Sequence, residues 1–198
     1  MPKIDQERRE ERRSSLLDAA RRCIGREGYR SLTVDDVCAA AGASKGMFYT
    51  YFGQKEDLLI ALLDADADSL DDLMVAIEAR TPSGRRRMHD YVRGVVERGN
   101  DPLHPQLQAD LLAAVRYDDG LRDRFAKRTR YRRATLARWI ADASARGEIA
   151  DVPANALASI LVALSDGLML HHAADPKAFS WVNVRRAVDH LLDGLALD

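Results

Sequence analysis

The sequence predicts an all-α protein of about nine helices. Apolar residues recur at helical spacing along most of the 198 residues. Glycine and proline interrupt these stripes at 42, 81–84, 100–105 and 147. We find no run of alternating apolar and polar residues that would indicate a strand. An N-terminal three-helix domain is expected over residues 1–58, and a larger helical domain over 59–198.

The composition is that of a soluble globular protein, with 46% apolar and 31% charged residues and a net charge of −1. No stretch approaches 18 consecutive apolar residues, and the N-terminus is charged, so we expect a cytoplasmic protein with no membrane partner. Cys23 and Cys38 fall at apolar helix positions and are expected to be core thiols rather than a redox pair. Residues 1–55 carry 11 basic and 8 acidic side chains. That small basic surplus permits nucleic-acid binding without indicating it.

The first element combines a charged arm with a helix. Residues 1–13 have no apolar period, and we predict that they are disordered without DNA. A helix is then expected from Ser14 or Ser15 to Glu27, ended by Gly28. Basic side chains of the arm could contact phosphate or a minor groove, or could begin a solvated helix with i,i+4 ion pairs. These side chains are Arg8, Arg9, Arg12 and Arg13.

The next element is a short helix predicted over residues 34–40. Thr33 is a good N-cap, and Asp36 places an acid in the first turn, where the helix dipole favours it. Gly42 follows the apolar stripe at the point where a helix often needs a residue with positive φ. The sequence therefore predicts a helix that stops sharply before a tight turn.

A second short helix is predicted over residues 44–51. Ser44 can cap it, and Phe48 and Phe52 lie at i,i+4 on one face, which leaves its polar residues away from the core. Two short helices joined by a three-residue turn with a glycine are typical of a helix-turn-helix. In that motif the second helix enters the DNA major groove.

Short motifs between residues 14 and 62 keep a fixed order and spacing of apolar, glycine and polar positions. They are Leu16-Leu-Asp-Ala-Ala20, Gly28-Tyr29, Thr33-Val34, Val37, Ala41-Gly42, Ser44-Lys-Gly46, Phe48-Tyr49, Phe52 and Lys55-Glu-Asp-Leu58. Together they resemble the N-terminal domain of the tetracycline-repressor (TetR) family. Three positions depart from the family pattern: Cys38 stands where Ala is usual, Ala43 where Val is usual, and Gln54 where a Ser or Asn cap is usual.

The resemblance implies double-stranded DNA as a partner and a set of contacts to it. Thr33 and Lys55 would bind phosphates, each at a helix N-terminus where the dipole favours an anion. Tyr49 would donate its hydroxyl to a phosphate. The residues expected to approach bases or the adjacent backbone are Ser44, Lys45, Gly46, Thr50 and Tyr51. Taken singly, Thr33 could be only a cap and Tyr49 an aromatic at the edge of the core.

The remaining helices are predicted at 54–79, 84–98, 106–115, 119–146, 154–173 and 178–195. Helix 7 is strongly basic between residues 121 and 138. This run could receive an anionic ligand, but we favour a solvated face. Helix 8 is apolar nearly all round, so it needs neighbours on more than one side.

Helices 8 and 9 are the predicted surface for a homodimer. One reading helix contacts few bases, whereas two copies about 34 Å apart would meet successive major-groove faces. The resemblance implies the same two-fold arrangement. Helix 8 could equally be the core of its own domain. Asp166 interrupts that helix and could orient a ligand or bond across the dimer, but we favour a structural role because buried polar groups normally have partners.

By resemblance, helices 4 to 7 would enclose a pocket for a small-molecule effector of unknown identity. The candidate residues are Met74, Met88, Tyr91, Leu111, Tyr117, Phe125, Trp139 and Asp166. We predict no cofactor, metal or catalytic site. The five histidines are scattered, and His171 and His172 project about 100° apart on a helix, too far apart to chelate from one face.

The expected function is a homodimeric transcriptional regulator, most simply a repressor. It would bind a palindromic operator and be released by the effector. The alternative keeps the DNA-binding domain but gives the C-terminal domain a protein partner instead of a small ligand.

Overall fold

A computed structural model of the chain describes residues 3–101 and 103–196, and the side chains of residues 3–5 and of Leu111 lie outside that description. Over these ranges the chain forms nine helices and no strand, which confirms the all-α prediction. The helices are α1 (Lys3–Ser31), α2 (Val34–Ala41), α3 (Lys45–Tyr51), α4 (Lys55–Arg80), α5 (Gly84–Gly99), α6 (Leu103–Val115), α7 (Asp119–Ala145), α8 (Ala154–Ala174) and α9 (Trp181–Asp193).

Helix α1 begins at Lys3, so the prediction of a disordered arm is wrong for residues 3–13. Arg and Glu are both good helix formers, and they alternate here at spacings that bring opposite charges together. Arg13, for example, lies 4.0 Å from Glu10 one turn earlier. Gly28 breaks the helical path as expected, with φ 76° and ψ 161°.

Helix α2 has caps at both ends. Thr33 and Asp36 form a reciprocal capping box at its start. At its end Gly42 adopts the left-handed conformation (φ 62°), and its N–H reaches the carbonyls of Ala39 and Cys38. Both caps are read directly from the sequence.

Helices α6 and α9 differ from their predicted bounds. α6 begins at Leu103 rather than 106, because Pro105 is tolerated in the first turn of a helix, where its missing N–H would have no partner. α9 begins at Trp181 rather than 178. The residues before α9 form a turn at Asp175. Its carboxylate accepts the N–H of Lys177, and its carbonyl accepts the N–H of Ala178.

The chain divides into two compact units, Met1–Asp66 and Ala67–Asp198. The division falls inside α4, later than the boundary predicted between residues 58 and 59. In the first unit, Leu16, Ile24, Phe48 and Leu58 are fully buried. Cys23 and Cys38 belong to the same buried set and are free thiols, as predicted. Burial raises the pKa of the Cys38 thiol.

The second unit has one large apolar core. Its largest fully buried side chains include Tyr91 of α5 and Leu136 and Trp139 of α7. Gly84 is required at the start of α5, because a Cβ there would lie 2.3 Å from the carbonyl oxygen of Trp139.

By length and composition α8 is able to cross a membrane, and it is the one such helix among the described residues. Length and composition alone do not identify a membrane-spanning helix, because an apolar core helix of a soluble protein has the same length and composition. In this chain one side of α8 packs into the second unit. The buried residues on that side are Ala158, Leu161, Val162, Ser165 and Met169.

Candidate nucleic-acid interface

Helix α3 is amphipathic, with its aromatic residues divided between the core and the surface. Phe48 and Phe52 are 0% and 3% exposed, and their ring centroids lie 5.6 Å apart. Tyr49 follows Phe48 in the chain, so it points about 100° away and is 55% exposed. The buried phenylalanines therefore fix the rotation of α3 and present Tyr49 to solvent.

The first turn of α3 is held by side-chain hydrogen bonds and has free space at Gly46. The Ser44 hydroxyl accepts the N–H of Met47 at 3.1 Å, and the Thr50 hydroxyl donates to the carbonyl of Gly46 at 2.8 Å. A Cβ placed on Gly46 would meet only the Ser44 hydroxyl oxygen, at 3.8 Å. The first unit's own packing therefore does not require glycine at this position.

Lys45, the first residue of α3, is paired with the acid of another helix. Its ammonium nitrogen lies 2.7 Å from a carboxylate oxygen of Asp35 in α2. The hydrogen bond that the Lys45 ammonium donates to this carboxylate raises the pKa of Lys45. Both side chains are exposed, and Lys45 lies four residues before Tyr49 on α3, so these two residues share one face of the helix.

Thr33 is fully engaged in the capping box of α2. Its N–H donates to the Asp36 carboxylate at 3.0 Å, and its hydroxyl lies 2.5 Å from the same carboxylate and 3.2 Å from the Asp36 N–H. The hydroxyl hydrogen bond and then the N–H hydrogen bond lower the pKa of Asp36. The polar groups of Thr33 already have a partner, so Asp36 must give way before a phosphate can take its place.

Lys55 lies at the start of α4. Its ammonium nitrogen is 3.4 Å from the carbonyl of Arg30 and 4.4 Å from the centroid of the Tyr29 ring. Asp57 lies in the first turn of α4, and its carboxylate accepts the backbone N–H of Gln54 at 3.2 Å. This bond is one half of a capping box; Gln54, a poor cap by sequence, supplies no reciprocal bond among those described.

The basic side chains of α1 lie against the end of α3. The guanidinium of Arg9 is 6.0 Å from the ring centroid of Tyr51, and that of Arg13 is 5.6 Å from the ring of Phe52. These contacts are within the range of cation–π attraction. The arginine side chains are therefore neighbours of α3, and Tyr51 is only half-exposed because α1 partly covers it.

Two family models match this chain. One describes bacterial regulatory proteins of the tetR family and matches residues 16–62. The other describes the C-terminal part of BetI-type transcriptional repressors and matches residues 84–197, which is more than half of the chain. The chain belongs to the TetR family. Its membership confirms the resemblance seen in the sequence, and with it the expectation that the chain is a regulator rather than an enzyme.

The relatives are transcriptional regulators, and the aligned region covers part of one and most of another. The chain is 35% identical to the regulator BetI of Rhizobium meliloti over 113 residues, which is 57% of this chain and 54% of that protein. It is 29% identical to the repressor Rv1474c of Mycobacterium tuberculosis over 196 residues, covering 92% of this chain and 94% of that protein. The chain thus spans about half of the first relative and nearly all of the second.

One similar solved structure is a transcriptional regulator from Saccharomonospora viridis in complex with choline. It superposes with a TM-score of 0.80 at 23% identity, covering 96% of this chain and 99% of that one. At this identity the similarity shows a shared fold.

In this TetR-family chain four of the eight predicted effector-binding residues are buried. Met74, Met88, Tyr91 and Trp139 are at most 1% exposed and belong to the core of the second unit. Phe125 is half-buried, and Leu111 has no described side chain. Tyr117 is 84% exposed, so in this conformation it is a surface side chain rather than part of a pocket lining.

A small cavity of about 20 Å³ lies between α5, α8 and α9. That volume holds about one water molecule and is far below the size of a typical ligand pocket. Tyr91 is the one predicted effector residue that lines it. Ser165 also lines the cavity, and its hydroxyl lies 3.1 Å from that of Tyr91. Burial raises the pKa of Tyr91.

Asp166 is paired within its own chain. Its two carboxylate oxygens lie 3.0 and 3.2 Å from the two terminal nitrogens of Arg132 in α7. Arg132 is thus the partner that a structural role of Asp166 requires. The carboxylate needs neither a ligand nor a second subunit to satisfy its hydrogen bonds. Such a bidentate geometry gives a strong, directional ion pair.

Arg132 is a residue that the sequence reasoning assigned wrongly. We favoured a solvated face for the basic run of α7, and most of that run is exposed, but Arg132 is only 8% exposed. The position of Arg132 in the sequence indicates its burial. It lies one turn before the buried Leu136, at a gap in the apolar stripe that starts at Phe125. A basic residue on a buried stripe indicates an internal carboxylate partner.

Proposed function

We propose that this chain is a cytoplasmic transcriptional repressor that binds a palindromic DNA operator as a homodimer. The observation that carries the proposal is the surface of α3. Gly46, the second residue of this helix, is not required by the packing of the unit, and Tyr49 is exposed one turn later. A position without a side chain near an exposed tyrosine hydroxyl suits close approach to a phosphate backbone.

The DNA contacts form two groups in this proposal. Ser44, Gly46 and Thr50 approach bases or nearby backbone, together with Lys45 and Tyr51. Tyr49, Thr33 and Lys55 contact phosphates. The last two must first leave their present partners, which are Asp36 for Thr33 and the carbonyl of Arg30 for Lys55.

The homodimer is supported by exposed apolar side chains on α8 and α9. Five of the nine exposed large apolar or aromatic side chains in the described chain belong to these two helices. Exposed apolar side chains that cluster mark an interaction surface. The five are Ile160, Leu164, Leu170, Val182 and Leu191. A two-fold axis beside α8 and α9 would bring these helices against their copies in a self-complementary contact.

Release by a small molecule completes the proposal. A ligand shifts the protein off DNA only if it binds the off-DNA conformation better than the DNA-competent one. The core around Tyr91 and Trp139 is closely packed, so the ligand-bound conformation would have to open it. Choline, which the Saccharomonospora viridis structure contains, is the first compound to test.

Selection of bound sequences from random duplex DNA tests the proposal. We expect an enriched palindrome, and affinity for it that falls as salt rises, because basic side chains displace counterions from phosphates. A chain that binds no duplex at low salt would refute the function.

The proposed phosphate contacts are tested by combining Tyr49→Phe with Lys55→Ala. Loss of the lysine should reduce the slope of log affinity against log salt by about 0.9, and loss of the hydroxyl should weaken binding further. Tyr131→Phe with Lys127→Ala makes the same chemical changes at exposed positions of α7 and should leave binding unchanged. Unaltered affinity in the first variant would exclude Tyr49 and Lys55 as contacts.

A further inference from the structure

The ion pair between Lys45 and Asp35 joins the first residue of α3 to the second residue of α2. Their charged atoms are 2.7 Å apart, and their side chains are 63% and 64% exposed. Exposed ion pairs contribute little to stability. The two helices are already held together by the buried side chains of Val37 and Phe48 and by the turn at Gly42. The fold therefore does not account for the pair.

The pair changes what Lys45 can do at a DNA surface. An unpaired lysine beside DNA binds phosphate of any sequence and adds to non-specific affinity. Here a carboxylate already neutralises the ammonium. Asp35 itself would repel phosphates if it were alone, and the lysine cancels that repulsion. Together they present one donor and one acceptor with no net charge.

A neighbouring donor and acceptor match one base pair in the major groove. Guanine presents the acceptors O6 and N7 there, and its cytosine partner presents the N4 amino group as a donor. Lysine is a common partner of the guanine acceptors, and aspartate accepts from the cytosine amino group. A G·C pair thus offers the complement of the Lys45–Asp35 pair.

We propose that Asp35 determines DNA specificity: it keeps Lys45 off the phosphates, so that the two side chains together read one G·C base pair in each half-site. This inference rests on the proposed DNA-binding function. Asp35 acts partly through Lys45 and partly by its own contact with cytosine.

The test compares binding to the selected operator and to a scrambled duplex of equal length over a range of salt concentrations. In Asp35→Asn the lysine is released to a phosphate. We expect tighter binding to the scrambled duplex, a salt slope steeper by about 0.9, and loss of the G·C preference at one position of each half-site in a repeated selection. Asp35→Glu keeps the charge and should keep the wild-type slope.

Asp18→Asn is the matched control, because it removes the same charge from an exposed position of α1. It should change neither the slope nor the preferred sequence. Lys45→Ala combined with Asp35→Ala provides a second test, in which neither charge of the pair remains. It should relax the same base position and leave the slope unchanged, since the intact pair neutralises no phosphate.

The outcomes separate the two proposals. If the wild-type chain binds no duplex, the proposed function fails. If it binds but Asp35→Asn behaves like Asp18→Asn, or if Lys45→Ala with Asp35→Ala lowers the slope by about 0.9, then Lys45 is an ordinary phosphate contact or no contact, and the role of Asp35 is refuted while the function stands. Thermal melting of each variant shows whether it is folded.

Discussion

At the scale of single residues, the buried pair of Arg132 and Asp166 allows a prediction about stability. Its two side chains are 10% and 20% exposed. Removing one partner of such a pair leaves the other charge buried without compensation. This loss of stability depends on burial. Removing an exposed arginine from the outer face of α7 should therefore not cause it.

We expect Arg132→Ala to lower the free energy of unfolding by about 3 kcal/mol. Urea denaturation measures this directly. Arg133→Ala, an exposed neighbour, should change stability by less than about 0.5 kcal/mol. Replacing both partners, as Arg132→Met with Asp166→Leu, should recover most of the loss, because no charge is then left buried. A double variant as unstable as the single one would show that the pair has another role.

The capping box gives a prediction about pH. The pKa of Asp36 is lowered because its carboxylate accepts hydrogen bonds from the Thr33 hydroxyl and N–H. A lowered folded-state pKa means that the carboxylate stabilises the fold above the unfolded-state pKa, and that this contribution is lost as pH falls through the folded-state value. Asp36→Asn should therefore differ most from wild type at neutral pH.

Denaturation of the Asp36→Asn variant from pH 7 down to pH 2 tests this. The stability difference from wild type should stay constant to about pH 4 and shrink below it. Asp18→Asn removes a carboxylate outside any cap and supplies the comparison. A difference that is the same at all pH values would mean that the cap does not depend on the charge of Asp36.

At the scale of the helices, capping residues predict the helix ends better than local composition does. Thr33 and Gly42 mark the ends of α2 because each acts on backbone groups within its own turn. The start of α1 differs from the prediction because a polar run of good helix formers with paired charges is helical here rather than disordered. The start of α6 differs because Pro105 lies within its first turn rather than in the preceding loop.

Glycine substitutions test which helices are tightly packed. A Cβ on Gly99, at the end of α5, would lie 2.3 Å from the indole of Trp181 at the start of α9. Gly99→Ala should lower the unfolding free energy by about 1–3 kcal/mol, because the buried indole must move. Gly25→Ala in α1 meets nothing within 4 Å and should raise stability by about 0.5–1 kcal/mol. Equal effects of the two changes in thermal melting would contradict this packing.

At the scale of the whole molecule, α8 and α9 carry five of the nine large apolar or aromatic side chains that the described part of one chain leaves exposed. Ile160 is 60% exposed and Leu191 is 70% exposed. A homodimer would bury both, and the two DNA-reading helices would then be related by symmetry.

We expect Ile160→Glu to shift the protein from dimer to monomer in sedimentation at micromolar concentration, because a carboxylate would be buried at the two-fold interface. Operator affinity should fall with it. Val75→Glu makes the same kind of change on α4, where Val75 is 58% exposed, and should leave the dimer intact. A wild-type chain that sediments as a monomer would refute the homodimer.

The sequence by itself determined the helical class, the caps of α2 and α3 and the motif that identifies the TetR family. These depend on residues close together in the chain, whose effects are local. Only the tertiary structure decided that Arg132 is buried against Asp166, that Lys45 pairs with Asp35, and that Tyr117 lies on the surface. Each of these depends on which helix packs beside which, and side-chain spacing along one helix does not contain that information.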